Sequence, residues 1–247
     1  MSFRVQYLPF ALVGLVFGTT IITFYLSYVK YEHVTYMLPY ISDTGTYPPE
    51  SCIFGQALNL ASILIIFAIY LKYLQVNEMH QKHHIEEKYH LNKITAAFGV
   101  MAGVGVNVVA NFQETNCFAI HWTGAILTFG GGAIYLCLQS LLYMNISPVI
   151  GQRKTTMFRI VLAIIALLSC VIFIAAAFVA YGNFEGDDMT KWKQTDGGYE
   201  AHQISTNAEW VCATSIMIFV SLFYEEFKNI IVNPVTIAII EEPSDKI

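Results

Sequence analysis

The chain has 247 residues, of which 55% are hydrophobic and 13% charged, with a mean hydropathy of +0.53 and a formal net charge of −5. Its apolar residues are gathered into long blocks instead of recurring at amphipathic spacing, which is the composition of a membrane protein and not of a soluble enzyme or a nucleic-acid binder. No stretch between blocks exceeds about 25 residues, so no soluble domain fits between them.

Six runs of about 18 or more residues carry almost no charge, at 8–29, 52–74, 94–112, 119–143, 158–181 and 204–224, each long enough to cross a bilayer as a helix. The expected fold is therefore all-α: one transmembrane domain, a six-helix bundle with short loops and a polar tail over 225–247. The first run exceeds the about 7–15 apolar residues of a signal peptide and reads as a first helix that is retained. It carries Gly14 and Gly18 at GxxxG spacing. The connection that follows ends in LPYISDTGTYPPESCIFG, residues 38–55, where Pro39, Gly45 and Pro48-Pro49 stop helix propagation and Glu50 or Ser51 can cap the next helix.

The second run contains Asn59, and the loop after it contains His80, His83, His84 and His90 among mixed charges, a solvated connection in its simplest reading. In the third run Gly99 and Gly103 repeat the GxxxG spacing, and Asn107, Asn111 and Glu114 recur at i, i+4, i+7, which places them on one helical face that ought to avoid lipid. The fourth run opens near His121, holds Gly130, Gly131 and Gly132, and contains Gln139. All seven glycines read as close helix-packing positions, because lipid provides no hydrophobic drive for helix association. Cys52 and Cys117 both stand at span ends on one side, where a disulfide is open to them, whereas Cys137, Cys170 and Cys212 lie inside spans as small packing residues. Before and within the last run come His202, Asn207 and Glu209; after it, Tyr224–Phe227 and Glu226–Ile231 resemble sorting signals only loosely, and a plain helix end explains them equally well.

Orientation follows from Lys and Arg in the short loops. With an even number of spans both termini share a side, and that side holds ten of the thirteen basic residues, so both termini are expected in the cytosol. The sequon at Asn145 then falls on the cytosolic side, and the opposite, lumenal face carries nine acids against Lys30, Lys191 and Lys193. That acidity suits a proton- or cation-rich compartment, and it is equally the residue of the positive-inside rule.

Asp43, Glu50, Asn107, Asn111, Glu114, His121, His202 and Glu209 thus form a candidate polar cluster on the lumenal side. A hydrogen-bonded network, a site for a lipid head group or an ion, and a metal-assisted hydrolase are all open to such a set. No HExxH, P-loop or GxSxG motif is present, and inverted repeats are not evident, so neither catalytic chemistry nor transport is indicated and no metal or cofactor is called for.

Several stretches together carry a family resemblance: LPYISDTGTYPPESCIFG followed by Asn59; LNK at 91–93; VVANFQET at 108–115; His121 with Gly124-Ala125 and LTFGGG; and Trp192, Gly198-Tyr199, His202, Ser205-Thr206 and Ala208-Glu209-Trp210. Their order and spacing resemble the DNA damage-regulated autophagy modulator family, with more distant kinship to Sfk- and Frag-type proteins. The resemblance implies a multi-pass protein of lysosomal membranes that promotes autophagy, with links to apoptosis and no enzymatic reaction. Expected partners are membrane lipids and other membrane or autophagy proteins. A lipid-modifying enzyme using the lumenal cluster, an ion-conducting protein, and residence in another endomembrane or the plasma membrane are the alternatives.

Overall fold

The computed structural model describes residues 3–35, 37–82, 89–146 and 153–233. His83, His84, Ser147 and the tail from 234 onward lie outside the described residues. Six helices are long and apolar enough to span a membrane. In chain order they are α1 (Leu8–Tyr25), prolonged by a π-type segment over Leu26–Lys30; α2 (Glu50–Lys82); α3 (Tyr89–Asn111); α4 (Phe118–Ala125), running through a π-type segment at Ile126–Gly130 into α5 (Gly131–Ile146); α6 (Arg153–Gly182); and α7 (Tyr199–Ser221). A short α8 (Tyr224–Phe227) follows, and β1 (Phe3–Arg4) pairs antiparallel with β2 (Ile231–Val232). That two-residue ladder brings the first and last described segments to one end of the bundle, here the termini end. The opposite, far end carries the long 31–49 connection, the turn at 112–117 and the 183–198 connection.

The side-chain distribution is that of a body surrounded by lipid. On α6, Leu168, Val171 and Phe178 are exposed, while Ala163, Ala166, Ala177 and Ala180 face inward. The small inward residues let α6 lie close along α7, its most extensive partner. Cys212 Sγ approaches the Ala166 carbonyl at 3.4 Å, Ser205 Oγ donates to the Phe173 carbonyl at 2.8 Å, and Gly198, at φ +77°, opens α7 where a Cβ would meet the Ala180 carbonyl at 2.5 Å. Hydroxyls within the helices are satisfied by the preceding turn, as Thr19 is by the Leu15 carbonyl and Ser169 by that of Ile165. Asn92, from the LNK stretch, ties α3 to α2 by donating to the Tyr73 carbonyl and to Asn77.

The glycines divide into two groups. Beside Gly99 a Cβ would meet Ile69 at 2.8 Å, beside Gly103 it would meet Ile66 at 2.7 Å, and Gly131 and Gly132 lie against Ala102 and Ile216. Gly14, Gly18 and Gly130 have nothing within 4 Å of that position, which corrects the expectation that they are packing contacts. The inward face of α1 is instead built from Leu12, Thr19, Thr20 and Thr23. A close approach of backbone to backbone between α3 and the π-type segment involves a glycine outside any GxxxG pair: a Cβ on Gly105 would lie 2.5 Å from the Thr128 amide nitrogen and 2.7 Å from the Gly124 carbonyl.

Backbone cannot yield as a flexible side chain can. Gly105→Ala is therefore expected to lower stability by about 1–3 kcal/mol or more through overpacking, and Gly14→Ala to leave it unchanged or raise it by up to about 1 kcal/mol through helix propensity. Thermal unfolding of the two variants in one detergent checks the contrast.

Candidate functional site

The 31–49 connection does not lie loose over the far end; Val34, Tyr40, Asp43, Thr44 and Thr46 are all buried. A single 3-10 turn over Asp43–Gly45 packs against the start of α2 so closely that a Cβ on Gly45 would fall 2.2 Å from the Phe54 ring. Glycine is the residue that fits there. Three points fasten this turn to α7: the Ile41 amide donates to Glu209 Oε2 (2.8 Å), the Tyr40 hydroxyl donates to Ser205 Oγ (2.8 Å), and Trp210 Nε1 donates to the Pro39 carbonyl (2.8 Å). Thr44 joins it to α1 through Thr23, hydroxyl to hydroxyl at 2.8 Å.

Asp43 in the turn and Glu114 and Glu209 beneath it are buried carboxyl groups, and among the described residues no Lys or Arg is their hydrogen-bond or ion-pair partner. Asp43 Oδ2 accepts the Tyr40 amide at 3.1 Å, and Glu114 Oε1 accepts the Tyr181 hydroxyl at 2.9 Å. His121 donates from Nδ1 to the Phe112 carbonyl at 2.6 Å, and its Nε2 lies 3.9 Å from Glu114 Oε2. His202 lies in an aromatic layer over the group, stacked on Trp192 (4.2 Å between centroids, 6° between planes) and edge-on to Tyr40 at 5.0 Å. Trp122, Phe173 and Tyr181 complete that layer.

Burial disfavours the charged form of a carboxyl group, and like charges nearby add to the effect. Burial, then the neighbouring Glu114 and Glu209, hold the Asp43 carboxyl well above the usual carboxylate range. Burial likewise pushes Glu114 up to about 7, against the opposing hydrogen bond from Tyr181. Burial thus favours the neutral forms of Asp43 and Glu114, beside which the aromatic rings lie.

Five of the eight residues expected in the cluster come together: Asp43, Glu114, His121, His202 and Glu209. Three do not. Glu50 is buried at the start of α2, where Oε1 accepts from His33 Nδ1 at 2.9 Å. Asn107 and Asn111 stand on the outer surface and turn to Asn59: Asn107 and Asn111 donate to its Oδ1 at 2.6 and 2.8 Å, and it donates back to Asn111 Oδ1 at 3.1 Å. The expectation of one polar face through Glu114 fails because α3 ends at Asn111, so the turn that follows swings Glu114 inward while the asparagines face out. Cys52 and Cys117 are free thiols, which corrects the suggested disulfide. Glu50, Phe54 and Leu58 point α2 inward at this height, leaving Cys52 on its exposed side. Among the described residues, no three His, Cys, Asp or Glu side chains are arranged to hold a metal ion.

Two further features escaped the sequence reading. An apolar cavity of about 140 Å³ lies between α1, α2, α3, α4–α5 and α7. Its lining reaches from Ser42, His121 and Glu209 at the far end to Tyr135, Leu136 and Phe223 toward the termini end. His121 to Tyr135, and Glu209 to Phe223, are stretches of about 20 Å at helical rise, so the lining of the cavity is elongated along the bundle, as a bore. Near its other end, Glu226 is buried among Lys72, Arg159 and Tyr143, all three of which donate to its carboxylate. A signal for this group was present: Lys72 and Arg159 fall within predicted apolar runs, where an ionisable residue is a functional pointer.

Residues 4–230 match the Frag1/DRAM/Sfk1/Cwh43P N-terminal domain. The chain is 37% identical over 228 residues to the human DNA damage-regulated autophagy modulator protein 2, covering 91% of this chain and 85% of the human protein. It is 31% identical to DNA damage-regulated autophagy modulator protein 1 of Xenopus laevis, over 83% of this chain and 84% of that protein, and 30% identical to the modulator of macroautophagy TMEM150B-B of Xenopus laevis, over 76% and 71%. No solved structure matches.

Glu114 binds its proton more tightly when folded, with a pKa of about 7 against an ordinary 4.5, so the folded form holds more protons between those values and its stability falls as pH rises through them. At about 1.4 kcal/mol per pH unit, the loss is on the order of 3 kcal/mol. Melting curves from pH 5 to pH 8 are expected to show a falling Tm, with the slope flattened in Glu114→Gln.

Proposed function

Because the chain belongs to the Frag1/DRAM/Sfk1/Cwh43P family, we propose that it is a lysosomal multi-pass membrane protein that promotes autophagy without catalysing a reaction, by holding a membrane lipid within its bundle. The printed names of its relatives describe modulators of autophagy and of macroautophagy, and its six apolar helices make it a multi-pass membrane protein. The termini end, where the basic residues gather, is assigned to the cytosol, and the far end to the lumen.

The observation that carries the lipid-holding reading is the apolar bore. It is bounded by five of the six spans and approaches 20 Å in length, against the about 15 Å that one leaflet occupies in a hydrocarbon core of about 30 Å. The neutral far-end acids are compatible with an acidic lumen, in which Asp43 and Glu114 retain their protons.

A tagged full-length chain expressed in cultured cells is expected to coincide with lysosomal markers and to raise turnover of an autophagy cargo reporter. Ala213→Phe, which fills the bore, should keep the location and abolish the gain. Exclusive plasma-membrane residence overturns the lysosomal assignment; an undiminished gain in Ala213→Phe overturns lipid holding; lipid turnover by the purified protein that His121→Ala abolishes with the fold intact overturns the non-catalytic reading.

A further inference from the structure

The termini end of the bore has an electrostatic character opposite to that of the far end. Among the described residues, the group there contains two cations, Lys72 and Arg159, and one carboxylate, Glu226, all buried. Lys72 also donates to Gln75 Oε1 (2.8 Å), and Arg159 Nη2 donates to the Leu222 carbonyl (3.2 Å) with its guanidinium stacked 3.9 Å over the Tyr143 ring. One positive charge is left in excess, and burying an unbalanced charge is costly. Neutral acceptors such as Gln75 and a backbone carbonyl reduce that cost without removing it.

Unpartnered donors accompany the charge. Arg159 Nε, the Tyr135 hydroxyl and the Gln139 amide nitrogen are buried without a hydrogen-bond partner. Tyr135, Gln139 and Tyr143 recur at i, i+4 and i+8 and so share one face of α5, the face on which Tyr143 meets Glu226 and Arg159. Tyr135 also lines the bore, with Leu136 and Phe223 beside it, and the Lys72 ammonium lies 5.3 Å from the Phe223 ring on the other side. The bore therefore ends at the unpartnered Tyr135 hydroxyl, on the face of α5 that two turns further on meets the surplus positive charge through Tyr143.

We propose that this end of the bore seats an acidic head group, so that its occupant is an amphiphile with one anionic group and one hydrocarbon chain directed toward Glu209 and His121. The inference rests on the lipid-holding reading and specifies the ligand class and its direction. An unpartnered hydroxyl beside a surplus positive charge favours a charged acceptor, which a carboxylate or a phosphate is and a glycerol head group is not. At the far end, among the described residues, no Lys or Arg lines the bore to compete for the anion. The charged end coincides with the side richest in Lys and Arg, so the head group lies at the level of the leaflet from which it would enter. A free fatty acid and a lysophospholipid share this chemistry and differ in the acid itself.

The test uses the purified full-length chain in a neutral detergent, titrated with radiolabelled oleate and with oleoyl lysophosphatidate, and with monoolein as the uncharged control of the same chain length. At least one acid is expected to bind about tenfold or more tightly than monoolein; which acid does so identifies the source as carboxylate or phosphate. Tyr135→Phe keeps the ring and removes one hydrogen bond to a charged group, so it should weaken that acid about tenfold and leave monoolein binding unchanged, which also reports that the variant is folded. Equal affinity for monoolein and both acids, or acid binding indifferent to Tyr135→Phe, overturns the acidic head-group assignment alone. If none of the three binds, this inference and the lipid-holding reading fall together.

Discussion

The bond from the Ile41 amide to the Glu209 carboxyl joins the longest far-end connection to the last membrane helix, and most of the far-end architecture depends on it. A carboxyl group can be buried at this level only if it is neutral or fully solvated by donors. The chain supplies donors from backbone and tyrosine, and among the described residues no Lys or Arg pairs with these acids. Glu209 takes an amide of the turn, Asp43 takes the amide beside it, and Glu114 takes Tyr181 from α6. Each acid thereby fixes one element, and the turn at 39–46 becomes a stopper between α1, α2 and α7. With the stopper in place, Tyr40 reaches the aromatic layer, and Ile41 and Ser42 line the far end of the apolar bore.

At the other end the same physical problem has the opposite solution. Glu226 is surrounded by Lys72, Arg159 and a tyrosine hydroxyl, all of which donate to its carboxyl group. One end of the bore is acid-rich and neutral; the other is cation-rich and charged.

How much of this could be read from the sequence varied with the kind of signal. The six spans were legible because lipid demands long uncharged runs, and the helices extend past several of them since hydropathy reports the hydrocarbon layer and not the helix end: α2 continues through Lys82. The joining of Asp43, Glu114, His121, His202 and Glu209 was legible as acids and histidines gathered at one side. What failed was the rule that polar residues inside spans face inward. Asn59, Asn107 and Asn111 satisfy one another across α2 and α3, so they tolerate an outward position that an isolated amide would not. GxxxG spacing misled for a related reason: Gly14 and Gly18 share a face of α1, but the turn at 39–46 and Thr44 engage the threonine face instead. Tyr40, Tyr181 and Trp192 could not be singled out among the chain's many aromatic residues, because their roles depend on contacts between distant segments. Lys72, Arg159 and Glu226 could have been found, had charges at span edges been read as possible partners as well as markers of orientation.

The central claim is that buried neutral carboxyl groups hold the 39–46 turn in place as the stopper of the bore. Hydrogen–deuterium exchange of the full-length chain in detergent at pH 5.5 tests it most directly, comparing the native sequence with Glu209→Ala. The account predicts slow exchange across residues 40–46 in the native chain, accelerated about tenfold or more in the variant, with the α6 amides unchanged. Equal protection of the turn in both proteins would contradict it.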